Sequence, residues 1–266
     1  MYDFAWDLSV PQYFWPKSGL GTIIYLCECG LEEVSSLKMS RLGALHCIKN
    51  TAAQNTGTVI FFHGSGASGG HMKEWVQIMA DNFSFPHLKI LFPTAPLQPY
   101  TPAGGAMTNV WFDRLDIKPT VPEATQSLAK INADIKYLIK KENEAGIPTN
   151  RIIVGGFSMG GALAFHIAYN WEPNVAGCFA FSSFLNENSA VYEKLKENND
   201  KVPPLLQIHG NSDDLVHFSW GENTFSQLKS LGVPGEFHVL DKLGHSINRR
   251  GLNLIKAWIN KHLPEI

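Results

Sequence analysis

The first residues with the right types and spacing for chemistry are a serine set between glycines. Gly156-Phe157-Ser158-Met159-Gly160 has the spacing G-x-S-x-G, in which a strand turns sharply into a helix and presents a serine hydroxyl for attack on an acyl carbonyl. The pattern alone is weak, because a chain of this length meets it by chance roughly one time in ten. Gly66-Ala67-Ser68-Gly69-Gly70 meets it too. Context separates the two: Ser158 directly follows the apolar run Arg151–Phe157 and precedes a helical pattern, whereas Ser68 lies in a glycine-rich loop.

A serine hydroxyl is a poor nucleophile without an adjacent base, and an imidazole base needs a carboxylate to fix its tautomer. On a sheet of this kind the chain order is serine, acid, histidine, each on a loop beyond a strand's C-terminal end. The run Leu205–His209 is followed by Gly210-Asn211-Ser212-Asp213-Asp214, and Glu236–Leu240 by Asp241-Lys242-Leu243-Gly244-His245. His245 fits the base. Either Asp213 or Asp214 fits the acid, since only one of two neighbours can face the site, and Asp213 is the first choice. Asp241 is on the same loop as His245 and only four residues before it, a poor position from which to approach the imidazole from behind. His238 falls within a strand, His217 at a helix start and His262 at a helix end, where structural roles fit better. An oxyanion hole takes the N–H after the nucleophile, that of Met159, and one from His63-Gly64-Ser65-Gly66, the loop after an early strand.

That loop carries the main rival reading. Gly64-Ser65-Gly66-Ala67-Ser68-Gly69 also spells G-x-G-x-x-G, the fingerprint of a dinucleotide site. Such a unit requires an acid at the end of the second strand, and that strand ends Phe92-Pro93-Thr94. No cofactor is therefore expected.

The elements that must position these groups follow a βαβα rhythm. Candidate strands are Ala44–Ile48, Thr58–Phe62, Leu88–Phe92, Arg151–Phe157, Val175–Phe181, Leu205–His209 and Glu236–Leu240, nearly continuous in apolar residues as strands buried on both faces are. Met72–Phe83, Glu123–Ala145, Gly160–Trp171, Phe218–Leu231 and Ser246–Leu263 show helical spacing, with Gly146 and Gly232 at C-cap positions. This predicts an α/β fold with a mostly parallel central sheet and helices on both faces. The segment Pro93–Pro122, rich in Pro and Gly, reads as a long lid or binding loop. Residues 1–40 are aromatic-rich without periodicity and are set apart as an N-terminal extension, leaving 41–266 as the domain.

Composition narrows the function classes. Among 266 residues, Lys+Arg 22 against Asp+Glu 24 gives a net charge of −2, so no basic footprint points to nucleic acid. No apolar run approaches the roughly 20 residues of a membrane span. The N-terminus has neither a basic signal-peptide start nor an Arg-rich transit pattern, so the expected compartment is the cytoplasm, with Met39 a candidate alternative start. Cys27, Cys29, Cys47 and Cys178 lack paired C-x-x-C spacing and are expected to be reduced, mostly buried thiols with no metal.

Several segments in one order, His63-Gly64-Ser65-Gly66, Asn109-Val110-Trp111-Phe112-Asp113, Gly155-Gly156-Phe157-Ser158-Met159-Gly160-Gly161 and His209-Gly210-Asn211-Ser212-Asp213-Asp214-Leu215-Val216, resemble the acyl-protein thioesterase and lysophospholipase family, nearest its lysophospholipase-like branch, from about residue 42 onward. The resemblance implies an α/β-hydrolase fold, a Ser158–Asp213–His245 triad with Asp213 rather than Asp214 as the acid, Ser65 and Met159 as oxyanion donors, and activity on acyl esters or thioesters, S-acylated proteins among them. Met159 replaces the Gln usual in the main thioesterases, as in the lysophospholipase-like branch, and Ala67 replaces an Asp usual in the loop. The acyl group is expected under the Pro93–Pro122 loop against Leu97, Met107, Val110 and Trp111, with short acyl chains preferred. Two alternatives stand beside this reading: a long-chain palmitoyl-protein thioesterase or lysophospholipase, and a hydrolase fold that only binds a partner.

Overall fold

The structure, a computed structural model, describes residues 40–80, 82–197 and 202–266. The proposed extension over 1–40 therefore falls almost wholly outside the described residues. Its framework is a seven-stranded sheet in the order β1-β3-β2-β6-β7-β8-β9. The strands are β1 (Leu45–Ile48), β2 (Gly57–Phe62), β3 (Leu88–Pro93), β6 (Ile152–Phe157), β7 (Gly177–Phe181), β8 (Leu205–Gly210) and β9 (Gly235–Leu240). All neighbours pair in parallel except β1, which runs antiparallel to β3. The α/β expectation, with its mostly parallel sheet, holds.

Helices cover both faces. Alternation along β2 sends Val59 and Phe61 to one side, where α1 (Gly69–Met79) and α6 (Arg249–His262) supply Met72, Val76 and Ile255. Ile60 and Phe62 point to the other, against Leu128 and Ile131 of α2 (Thr125–Glu144) and Leu163 of α3 (Met159–His166). The central strands β2, β6, β7 and β8 are buried throughout, as their apolar runs imply. The edge strand β9 is largely exposed, so burial on both faces does not extend to it. Gly146 and Gly232, both at φ 89°, follow α2 and α5 (Phe218–Ser230) at their C-terminal ends.

Four local readings change. The Pro93–Pro122 segment is not one irregular loop: β4 (Leu97–Tyr100) and β5 (Ala106–Asn109) pair antiparallel as a hairpin, turned by Gly104 and Gly105 at positive φ. The pairing escapes a reading by composition because Pro99 sits within β4, on an edge that has no need of its N–H. The helix begun at α3 changes to a π turn over Ile167–Trp171. A short helix, α4 (Ala190–Glu197), was not expected. Finally, Cys47 is disulfide-bonded, so the expectation of reduced thiols fails there, while Cys178 is a free, buried thiol. Among the described residues no helix is long and apolar enough to cross a membrane.

Candidate active site

The parallel strands aim their C-terminal ends at one edge of the sheet, and the loops leaving β2, β6, β8 and β9 meet there. Ser158 lies between β6 and α3 at φ 54° and ψ −121°, one of four non-glycine residues with positive φ among those described. Such a backbone is strained, and it persists because the surroundings over-determine it. The Ser158 N–H donates to the Phe181 carbonyl at 2.9 Å, and its own carbonyl accepts from Gly161 N at 3.0 Å. Gly160 is required by close approach: a Cβ there would lie 2.2 Å from the Phe62 carbonyl oxygen. The motif thus locks the elbow against β2. Ser68, the competing match, instead caps α1, its hydroxyl accepting from His71 N at 3.2 Å.

Of the candidate acids, Asp213 is buried and Asp214 is exposed. The Asp213 Oδ1 accepts from Val216 N at 2.9 Å and from Leu215 N at 3.2 Å, while Oδ2 accepts from His245 Nδ1 at 2.9 Å. Burial alone would raise this carboxyl, but hydrogen bonds from His209, His245 and Val216 hold it well below the usual carboxylate range. The carboxylate therefore fixes a His245 tautomer that leaves Nε2 free. The His245 ring packs on the ring of Phe157 with centroids 4.7 Å apart, which brings it beside the residue preceding Ser158. Asp241 accepts from Asn211 Nδ2 at 2.9 Å.

His209 is a site residue to which spacing along the chain assigns no role. Fully buried at the end of β8, it donates from Nε2 to the Val216 carbonyl at 2.8 Å, with Asp213 Oδ2 3.4 Å away. It braces the Asp213 loop from below. The signal is its four-residue spacing from Asp213, legible only once the loop is known to fold back on the strand.

The loop after β2 passes directly over the serine. A Cβ on Gly64 would lie 3.3 Å from Ser158 Cβ, and the Ser65 hydroxyl donates to Met159 Sδ at 3.6 Å, so the side chains of these two residues touch. The loop is held without the acid that Ala67 replaces. Gly66 N donates to Asn109 O at 3.0 Å, Trp111 Nε1 donates to His63 O at 2.8 Å, and Asn109 Nδ2 donates to Ala95 O at 2.8 Å. His63, also without a role assigned from the sequence, ties these together. Its Nδ1–H points at Gly64 O at 2.6 Å and its Nε2 accepts from Ala95 N at 3.0 Å. Burial pushes its pKa down to about 4, so the ring is neutral.

The four residues expected around the acyl group do not converge. Leu97 and Met107 are 52% and 58% exposed on the hairpin, whereas Val110 and Trp111 are completely buried and present no surface to a ligand. Val110 and Trp111 act from the core as supports for the loop after β2.

Comparisons with known proteins give the family. Residues 44–263 match the phospholipase/carboxylesterase family. The chain is 43% identical over 219 residues to the lysophospholipase-like protein 1 of Mus musculus, covering 82% of this chain and 92% of that protein. It is 34% identical to the acyl-protein thioesterase 1 homolog 1 of Dictyostelium discoideum, covering 82% and 96%. Among solved structures, Zea mays acyl-protein thioesterase 2 superposes with a TM-score of 0.69 at 25% identity, covering 83% of this chain and 99% of that one. Arabidopsis thaliana SOBER1 gives 0.69 at 28%, covering 79% and 100%. The chain belongs to the phospholipase/carboxylesterase family of α/β-hydrolases, within its acyl-protein thioesterase and lysophospholipase-like group of serine-type hydrolases.

Proposed function

We propose that Ser158, His245 and Asp213 hydrolyse acyl esters and thioesters as nucleophile, base and orienting carboxylate, with a preference for short acyl chains. The observation that carries this is the 2.9 Å contact of His245 Nδ1 with a buried Asp213, set beside a strained serine elbow. His245 Nε2 takes the Ser158 proton as Oγ attacks the acyl carbonyl, and the N–H groups of Ser65 and Met159 hold the oxyanion. The alcohol or thiol then leaves with that proton. Water, deprotonated by His245, attacks the acyl-enzyme, and the acid departs with Ser158 restored. S-acylated proteins are proposed as substrates, in keeping with a relative named as an acyl-protein thioesterase homolog.

The preference for short chains draws on the fate of the four expected lining residues. Two are fully packed and two lie on the surface, so none of them builds a long apolar channel. The test is hydrolysis of a short acyl ester and of a matched S-acyl peptide. Wild type should turn over both, and Ser158→Ala should lower kcat by on the order of 10⁶ and abolish labelling by a fluorophosphonate. Labelling that survives the substitution refutes the assignment.

A further inference from the structure

Two imidazoles flank the Asp213 carboxylate, and the reaction as proposed uses one of them. His245 Nδ1 meets Oδ2 at 2.9 Å, and His209 Nε2 lies 3.4 Å from the same oxygen. The His209 side chain is completely buried while that of His245 keeps some exposure, so a substrate can meet one ring and not the other. The Val216 carbonyl, 2.8 Å from His209 Nε2, can only accept, which fixes the proton on Nε2 and aims it into the loop that carries Asp213. Val216 N in turn donates to Asp213 Oδ1 at 2.9 Å. The contacts form a closed set: the loop grips Oδ1, His209 grips the loop, and Oδ2 stands between the two rings.

The surroundings hold the His209 ring in this pose. Gln207, two residues earlier on the same face of β8, donates from Nε2 to the Gly221 carbonyl at 2.8 Å and so fixes α5 over the ring. A Cβ on Gly221 would lie 2.2 Å from His209 Nδ1, which leaves the imidazole no room to withdraw. Phe218 stands edge-on to it, with ring centroids 6.0 Å apart at 88°. Nδ1 itself is buried without a hydrogen-bond partner. Packing alone gives no reason to bury an unpaired nitrogen there, because an apolar side chain would avoid that cost. Burial pushes the Asp213 carboxyl up, and the hydrogen bond from His209 leads those that bring it below the usual range. Asp214, His217, Glu222, Asp241 and Lys242, the other titratable side chains on the loops and helix around it, are all exposed.

We infer that His209 is a positioning residue of the hydrolytic reaction, which from the end of β8 holds both oxygens of Asp213, one through Val216 and one directly, in the orientation that His245 requires. The inference rests on the hydrolase reading above and adds a member to its machinery. As His245 takes the serine proton, its Nδ1–H leans on Oδ2. A carboxylate free to turn would lose that aim, and His209 resists the turn.

His209→Met removes the N–H and keeps most of the volume, whereas His209→Gln returns an amide N–H near the former Nε2. Both are assayed for kcat and KM on one short aryl ester, alone and combined with Asp213→Asn. His209→Met should lower kcat about 10- to 100-fold, the usual consequence of leaving a buried acceptor unpaired, with KM nearly unchanged. His209→Gln should recover most of that loss. In the Asp213→Asn background His209→Met should cost less than about threefold, because its effect passes through the carboxylate. An equal loss in both backgrounds, a Gln variant no better than Met, or a raised KM with kcat intact overturns the inference. Should His209→Met not fold, nitrogen NMR of the wild type at the assay pH must find the His209 proton on Nε2, and a neutral ring protonated on Nδ1 overturns the inference as well. Full turnover in His209→Met defeats this inference alone, whereas no turnover in the wild type defeats the hydrolase reading and this one with it.

Discussion

Acidification should destabilise this protein through His63. The ring is completely buried, donates from Nδ1 to Gly64 O and accepts at Nε2 from Ala95 N, so it has room for one proton and a second would face an N–H. Burial, opposed by the Gly64 hydrogen bond and reinforced by the charge of His71, takes its pKa from 6.5 to about 4. The unfolded chain binds the proton near pH 6.5 and the native state only near 4, so stability is complete above 6.5 and is lost as pH falls toward 4. Between pH 7 and pH 5 the linkage relation gives a loss of about 2 kcal/mol from this group, and about 3 kcal/mol at its limit. Asp213 does not confound this window, because its depressed carboxyl titrates at or below 3.8 and costs stability only in stronger acid. Urea unfolding of wild type and His63→Gln at pH 7, 6 and 5 measures the effect: the wild-type advantage should shrink by about 2 kcal/mol across the range. Parallel stability curves, or an NMR titration of His63 in the native protein centred near 6.5, would refute the reasoning.

Three further outcomes are expected. Asp213→Asn should lower kcat by roughly 10⁴, because the wrong His245 tautomer is then favoured, whereas the exposed Asp214→Asn should cost little; kinetics on one ester rank the two, and the reverse order moves the acid. Across a chain-length series held below micelle formation, kcat/KM should peak at short acyl groups and fall beyond about eight carbons, because a long channel gains about 0.8 kcal/mol per buried CH₂ and a closed end gains none; a steady rise to sixteen carbons would make the enzyme a depalmitoylase. A chain starting at Met39 should keep its kcat/KM, since the proposed catalytic groups begin at Ser65 and the family match at residue 44; a folded but inactive product would place a site contribution in the removed segment.

Much of the site is legible along the chain because its demands are local. A strand-to-helix elbow needs glycines at fixed offsets around Ser158, and parallel strands read as short apolar runs, so a serine at 158, an acid at 213 or 214 and His245 fall in that order on strand ends from spacing. What tertiary structure decides are matters of contact between distant segments. Asp213 and Asp214 are equivalent in composition, and only the fold of their loop buries one against His245 and His209. Val110 and Trp111 look like pocket residues in a lid, but pairing of β4 with β5 carries Leu97 and Met107 outward while Trp111 donates inward to His63 O. The cysteines carry no spacing signal, yet Cys47 is bridged. Arg114 is one charged residue among many in the sequence; that its guanidinium is buried between the rings of Phe112 and Phe184 follows only from how β7's end and the β5–α2 connection pack, because burial and partnership belong to neighbours in space and leave no mark on spacing along the chain.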